Sequence, residues 1–206
     1  MSATLKKTGL LLVMTGLILV AAGGCVMEDR VIELVVSETT CVDFPEYHTS
    51  ESFVTPATVD YAEQINQILE DNDVSREDLV SARLVSASYG VTSFPAHADW
   101  AISGAVTVQR EDVSDGPDTL YAYNSLSVAG ALGKTLPAIL NGAGVGVLNR
   151  ALADFIAGEN PVLTFEVINS GVSPTPSEGD PLVFEWKGCI VIDIVAKSEA
   201  EVPDPF

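Results

Sequence analysis

Residues 181–198 read PLVFEWKGCIVIDIVAKS. Val183, Glu185 and Lys187 alternate with Phe184, Trp186 and Gly188. Successive side chains of a strand point to opposite faces, so this stretch reads as a strand with one face on a core. The pattern recurs upstream. In PVLTFEVINSGV (161–172), Leu163, Phe165 and Val167 oppose Thr164, Glu166 and Ile168. ADWAISGAVTVQR (98–110) sets Trp100, Ile102, Gly104, Val106 and Val108 on one side. TLYAYNSLSVAGAL (119–132) sets Leu120, Ala122, Asn124, Leu126 and Val128 against Tyr121, Tyr123 and Ser125. LVSARLVSASYGVTSF (79–94) sets Val80, Ala82, Leu84, Ser86 and Ser88 against Arg83, Val85, Ala87, Tyr89 and Val91. RVIELVVS (30–37) is a further β-branched run, and Pro45 and Pro56 make 39–56 an irregular edge segment.

Two segments carry helical spacing instead. Val59, Ala62, Ile65, Ile68 and Leu69 share a face, with Thr58 as the expected N-cap, and Ser75 is placed to cap a short turn of helix. Leu148, Leu152, Phe155 and Ile156 share another, closed by Gly158, while Gly142, Gly144 and Gly146 weigh against helix in its first half. Strands do not alternate regularly with helices, which disfavours a doubly wound sheet. The expected fold is mainly β: an antiparallel β-sandwich with one or two helical insertions.

The chain begins differently. Lys6 and Lys7 precede an apolar run from Thr8 to Val20, then Ala21-Ala22-Gly23-Gly24 and Cys25. That order reads as a secretory signal peptide, and the run falls short of the ~20 residues that span a bilayer. Ala22-Gly23-Gly24-Cys25 resembles the lipobox of bacterial lipoproteins, with Ala22 standing where Leu is usual. The resemblance implies cleavage before Cys25, diacylglycerol and palmitate at its new terminus, and a cell-envelope location anchored in a membrane. Val26 after the cysteine implies the outer membrane in a Gram-negative cell. An ordinary signal peptidase would leave Cys25 free, and an uncleaved anchor helix is the remaining alternative. The implied organisation is a signal peptide over 1–24, a lipidated N-terminus and linker over 25–29, an acidic domain over 30–198, and a disordered tail over 199–206. The domain's arrangement is similar in pattern to uncharacterised β-sandwich envelope lipoproteins, which implies no functional residues.

Twenty-nine acidic residues against 10 basic ones give a net charge of −19. Such a surface repels phosphate polyanions, so nucleic acid is excluded as the expected partner. Of the 3 cysteines, Cys41 and Cys189 remain if Cys25 carries lipid. In an oxidising compartment they pair, stabilising by ~4 kcal/mol in the chain-entropy model; two buried free thiols are the alternative.

Chemical motifs are weak. GALGKT (130–135) has Val128 where a phosphate-binding loop requires Gly, so its N–H groups cannot all turn onto phosphate, and IVID (190–193) gains nothing beside it. GAGVG (142–146) has no strand ahead of it, as a dinucleotide fingerprint demands. Asp71, Asp73 and Ser75 begin like a calcium loop, but Arg76 and Ala82 occupy its glycine and glutamate positions. DVSDGPD (112–118) reads as a turn. His48 and His97 lack zinc spacing, and no Gly-x-Ser-x-Gly elbow occurs. No cofactor, metal or catalytic residue is therefore expected. Trp100, Tyr121, Tyr123 and Trp186, with Tyr47, are the candidate ligand-binding residues, as a sugar-stacking platform. The expected function is a non-catalytic structural or interaction module, with an envelope protein or glycan as partner. Alternatives are a glycan- or small apolar ligand-binding lipoprotein, supported if Trp100 or Trp186 is exposed, and a secreted hydrolase, supported if His48 or His97 meets a serine and a carboxylate within hydrogen-bond reach.

Overall fold

The computed structural model describes residues 30–94, 100–114 and 116–200. Among these, eight strands form two antiparallel sheets. The first runs in the order β1 (Arg30–His48), β8 (Leu182–Ala200), β3 (Leu79–Ser93), β6 (Leu136–Pro137). The second runs β2 (Phe53–Asp60), β7 (Val162–Ser173), β4 (Ala101–Arg110), β5 (Asp118–Ser127). The chain is thus mainly β, a sandwich with helices α1 (Tyr61–Asp71), α2 (Val128–Ala131) and α3 (Gly142–Ile156). Residues 1–29, with Cys25, lie outside the described residues, as do His97 and residues 201–206.

β8 lines the core from the middle of the first sheet. Leu182, Phe184, Trp186, Ile190, Ile192, Ile194 and Ala196 are buried. They pack in one hydrophobic cluster with Ile102, Val106 and Val108 of β4 and Leu163, Phe165 and Val167 of β7. Each large side chain so buried contributes ~1.5–3 kcal/mol relative to exposure. β8 continues to Ala200, beyond the expected domain end at 198.

Residues 39–56 differ from expectation. Regular pairing runs through both prolines, Pro45 opposite Glu185 in β1 and Pro56 opposite Glu166 in β2. Both strands are sheet edges, where a residue without an N–H costs no ladder bond on its open side. The edge assignment holds and the irregularity does not. The cap of α1 also moves: Asp60, not Thr58, accepts the Glu63 N–H at 2.9 Å. Thr58 instead pairs with Thr164 in the ladder.

Bulges shift the face of two strands. Val106 pairs with Tyr121 and Thr107 with Thr119, leaving Leu120 as the extra residue. Leu120 and Tyr121 are therefore both buried, where strict alternation sets them on opposite faces. In β3 the pairing jumps from Leu84–Ile192 to Ser86–Val191, so Leu84 and Ala87 both turn inward and Val85 faces out.

Helix α3 closes the side of the sandwich between β3 and β5 and includes the glycine-rich half. Asn141 caps it, accepting the Ala143 N–H at 2.9 Å, and Asn149 accepts the Leu84 N–H at the β3 bulge at 2.8 Å. Gly144 explains the GAGVG cluster. A Cβ there would sit 2.6 Å from Leu120 Cα and from the Thr119 carbonyl oxygen, so the helix backbone rests directly on β5. At the far end Arg76, capped into a 3-10 turn by Ser75, donates to the carbonyls of Phe155 and Glu159 and stacks over the Phe155 ring. One guanidinium thereby ties the last turn of α3 to the loop that follows it.

Gly144→Ala should cost ~1–3 kcal/mol by overpacking against β5. Gly146→Ala, with nothing within 4 Å of the new methyl, should be neutral or gain up to ~1 kcal/mol. Urea midpoints of the two variants check this; equal midpoints contradict the close approach.

Candidate functional site

Cys41 and Cys189 face each other across β1 and β8 as direct partners. Their sulfurs are 2.11 Å apart, and the bond spans 148 residues of sequence. Of the two readings open in the sequence, the disulfide is the one formed. The buried-thiol reading fails because both residues fall on the outer face of their sheet, with Cys41 exposed.

The aromatic platform is also corrected. Trp100 is 3% exposed, Trp186 1%, Tyr121 3% and Tyr123 5%. Trp186 stacks on Tyr89 with ring centroids 5.1 Å apart, and Tyr89 stacks on Tyr121 at 5.4 Å. Tyr123 tilts against Trp186 at 5.2 Å, and Phe184 meets it edge-on. This stack joins the two sheets from within and presents no ring face for a sugar. Tyr89, which stacks on both Trp186 and Tyr121, is the member sequence reasoning missed. Tyr47 is exposed on the outer face of β1, alone of the five candidates. Burial pushes the Tyr121 and Tyr123 hydroxyls far above their ordinary pKa, so both stay protonated.

Beside the stack lies a polar cluster. Glu46 and His48 are inward residues at the end of β1, and Thr55 sits on β2 of the opposite sheet. Thr55 Oγ1 donates to Glu46 Oε2 at 2.6 Å, and His48 Nε2 lies 2.5 Å from the same oxygen. The imidazole stacks flat on Phe53, centroids 3.5 Å apart. The Glu46 side chain is fully covered. Its burial raises the carboxyl pKa, opposed by the bonds from Thr55 and His48 and by the charge of His48. Glu46 Oε1, Tyr123 OH, Asn169 Oδ1 and Trp186 Nε1 are buried without a protein partner.

Histidine, hydroxyl and carboxylate thus converge, but in the wrong order for a triad. A triad puts the hydroxyl on one ring nitrogen and the carboxylate on the other, so the ring can pass a proton between them. Here Thr55 Oγ1 is 3.5 Å from His48 Nε2, the same nitrogen that Glu46 occupies. The hydroxyl gives its hydrogen to the carboxylate and gains no base. The cluster is a clasp between β1 and β2.

The other motifs are structural in their surroundings. In GALGKT, Gly130 N–H bonds Ser127 Oγ, Leu132 N–H the Ala129 carbonyl, Gly133 N–H the Val91 carbonyl, and Lys134 N–H the Ala131 carbonyl. Those donors are consumed and do not converge on an anion. Among the described residues, no three His, Cys, Asp or Glu side chains gather in metal-binding geometry. A cavity of about 30 Å³ lies between the sheets, lined by Val42, Phe44, Val59, Phe165 and Ile190, with Thr40 and Gln64, hydrogen-bonded at 2.7 Å, in its wall. It is far smaller than the ~300 Å³ of a ligand pocket.

No protein-family model matches the chain, and no curated protein matches it. Among solved structures, Desmodium yellow mottle tymovirus aligns over 99% of this chain and 99% of the other, at 11% identity and TM-score 0.30. The crystal structure of the 60-mer BFDV capsid protein aligns over 85% of this chain and 98% of the other, at 9% identity and TM-score 0.27. The cryo-EM structure of Mud crab tombus-like virus aligns over 98% and 96%, at 12% identity and TM-score 0.23.

The clasp has a pH signature. Because Glu46's pKa is raised on folding, the folded chain holds that proton more tightly than the unfolded chain. Its contribution to stability is fully present below the ordinary carboxylate pKa and is lost as pH rises through the folded value. Glu46→Gln keeps an acceptor for Thr55 and removes the titration. The difference in Tm, Glu46→Gln variant minus parent, should therefore increase from about pH 4 to 8. A flat difference contradicts the assignment.

Proposed function

We propose that this protein is an exported, lipid-anchored module of the cell envelope, acylated at Cys25, with a structural or interaction role and no catalysis of its own. The observation that carries the reading is the Cys41–Cys189 bond. A bond of this kind persists in oxidising compartments and is rare in a cytosol. It also uses two of the chain's 3 cysteines, and the third stands in the small-residue context Ala22-Gly23-Gly24-Cys25 behind an apolar run. A free thiol there would be a reactive liability outside the cell, which an acyl thioether removes. Two or more acyl chains suffice for stable anchoring, at ~0.8 kcal/mol per buried CH₂. The Val26 that follows favours the outer membrane where the cell has one.

The non-catalytic part of the reading is supported by the order of Glu46, His48 and Thr55, which builds no nucleophile, and by the use of the GALGKT donors within the fold. The interaction role falls to the surface, since the aromatics are enclosed. An envelope protein or a glycan is the partner class, and the charge of −19 disfavours nucleic acid.

Intact mass of the membrane-extracted protein tests this. The expected species begins at Cys25, carries diacylglycerol and a fatty acyl group, and lacks two hydrogens for the disulfide. Cys25→Ser should move the protein from the membrane fraction to the soluble one. A native species that begins at Met1 and fractionates with the cytosol overturns the proposal.

A further inference from the structure

We propose that the outer face of the β1–β8–β3 sheet rests on the lipid surface to which Cys25 is tied. The inference rests on the lipidation reading and adds an orientation to it. Arg30 opens β1 five residues after Cys25, a reach of at most ~18 Å when fully extended. The free end of the β1–β8 pair, where Arg30 opposes Ala200, is therefore held next to the bilayer.

The surface beside that end carries exposed valines among its paired charges. Val35 is 61% exposed, Val85 47% and Val80 43%. Val35 pairs with Val195, and Ser81, next to Val80, pairs with Val195 from the other side. Val191, opposite Ser86, extends the patch toward Val85. Two of the three β3 register shifts, at Leu79/Ser81 and Leu84/Ser86, turn Val80 and Val85 out of the strand's alternation and onto this face. Single exposed valines are ordinary; a group of them across three adjacent strands marks a contact surface.

Charge separates this face from the rest of the molecule. Arg83 pairs with Asp193, Lys187 with Asp43, and Lys197 stands opposite Glu33 in the ladder. Three cations thus stand against three of the acids there, with Glu185 exposed beside them, on a chain whose net charge is −19. Elsewhere Arg110 and Arg76 are engaged with α3, leaving acids such as Glu63, Glu70 and Asp71 to dominate α1. The paired charges reduce the repulsion between this face and a negatively charged membrane, and the valines gain contact with the interfacial layer when it turns inward.

The native acylated protein in phosphatidylcholine vesicles with brominated acyl chains tests the orientation. Trp100 and Trp186 are enclosed and give a constant background. Val35→Trp and, separately, Val85→Trp report from the proposed face, and Val54→Trp, at a site 53% exposed on β2 of the other sheet, is the control. The expected result is quenching at 35 and 85 at least twice that at 54. Flotation of the same samples reads anchoring independently. Protein that floats with equal quenching at all three positions overturns the orientation and leaves the anchor intact. Protein that does not float overturns both. If the indole of the Val35→Trp variant is shielded from aqueous acrylamide as protein concentration rises, without bromolipid quenching, the face belongs to a second copy and the proposal is overturned.

Discussion

The fold depends on β8 being paired on both sides while one of its faces is dry. β1 and β3 both hydrogen-bond to it, and among the described residues neither has another long partner in its sheet. Its inward row meets β4 and β7 across the core, so displacing β8 would unpair the whole first sheet and expose the second. The disulfide, the Trp186 stack, the Arg83–Asp193 pair and the contact of Glu46 with Thr55 all take their positions from the register of this one strand or of its neighbour β1. Helices α1 and α3 are secondary to it: they close the sides of a sandwich that the strand pairing has already formed.

Much of this was legible in the sequence because alternation is a local signal. Trp100, Ile102, Val106 and Val108 lie inward as their spacing implies, and so do Leu163, Phe165 and Val167. What was not legible is the place where local alternation yields to a partner strand. The bulges at Leu120 and Val85 are properties of pairing, and no residue type at those positions announces them. Pro45 and Pro56 suggested disorder of the ladder because a proline looks the same in a loop and on an open edge. Gly144 weakened the case for a helix because its cost is local, whereas its benefit, direct contact with the β5 backbone, is tertiary.

The polar clasp was illegible for the same reason. Glu46 is one of 29 acids, and nothing near it in sequence marks it as the one taken inside. Only the return of the chain through β2 brings Thr55 to its carboxylate. A carboxyl group so enclosed is costly unless bonded, and Thr55 and His48 offset part of that cost at one oxygen only.

The position of the disulfide bears on how the first and last strands, β1 and β8, find their alignment. Cys41 and Cys189 occupy facing positions on one surface, so a slip of β1 by a single residue would turn one sulfur toward the solvent and the other toward the interior. Oxidation then seals the correct alignment, and a pair out of register stays unbonded and free to separate. The bond works as a proofreader of strand matching as much as a brace, and in an acidic protein with a bare edge strand that guards against mispairing with neighbours.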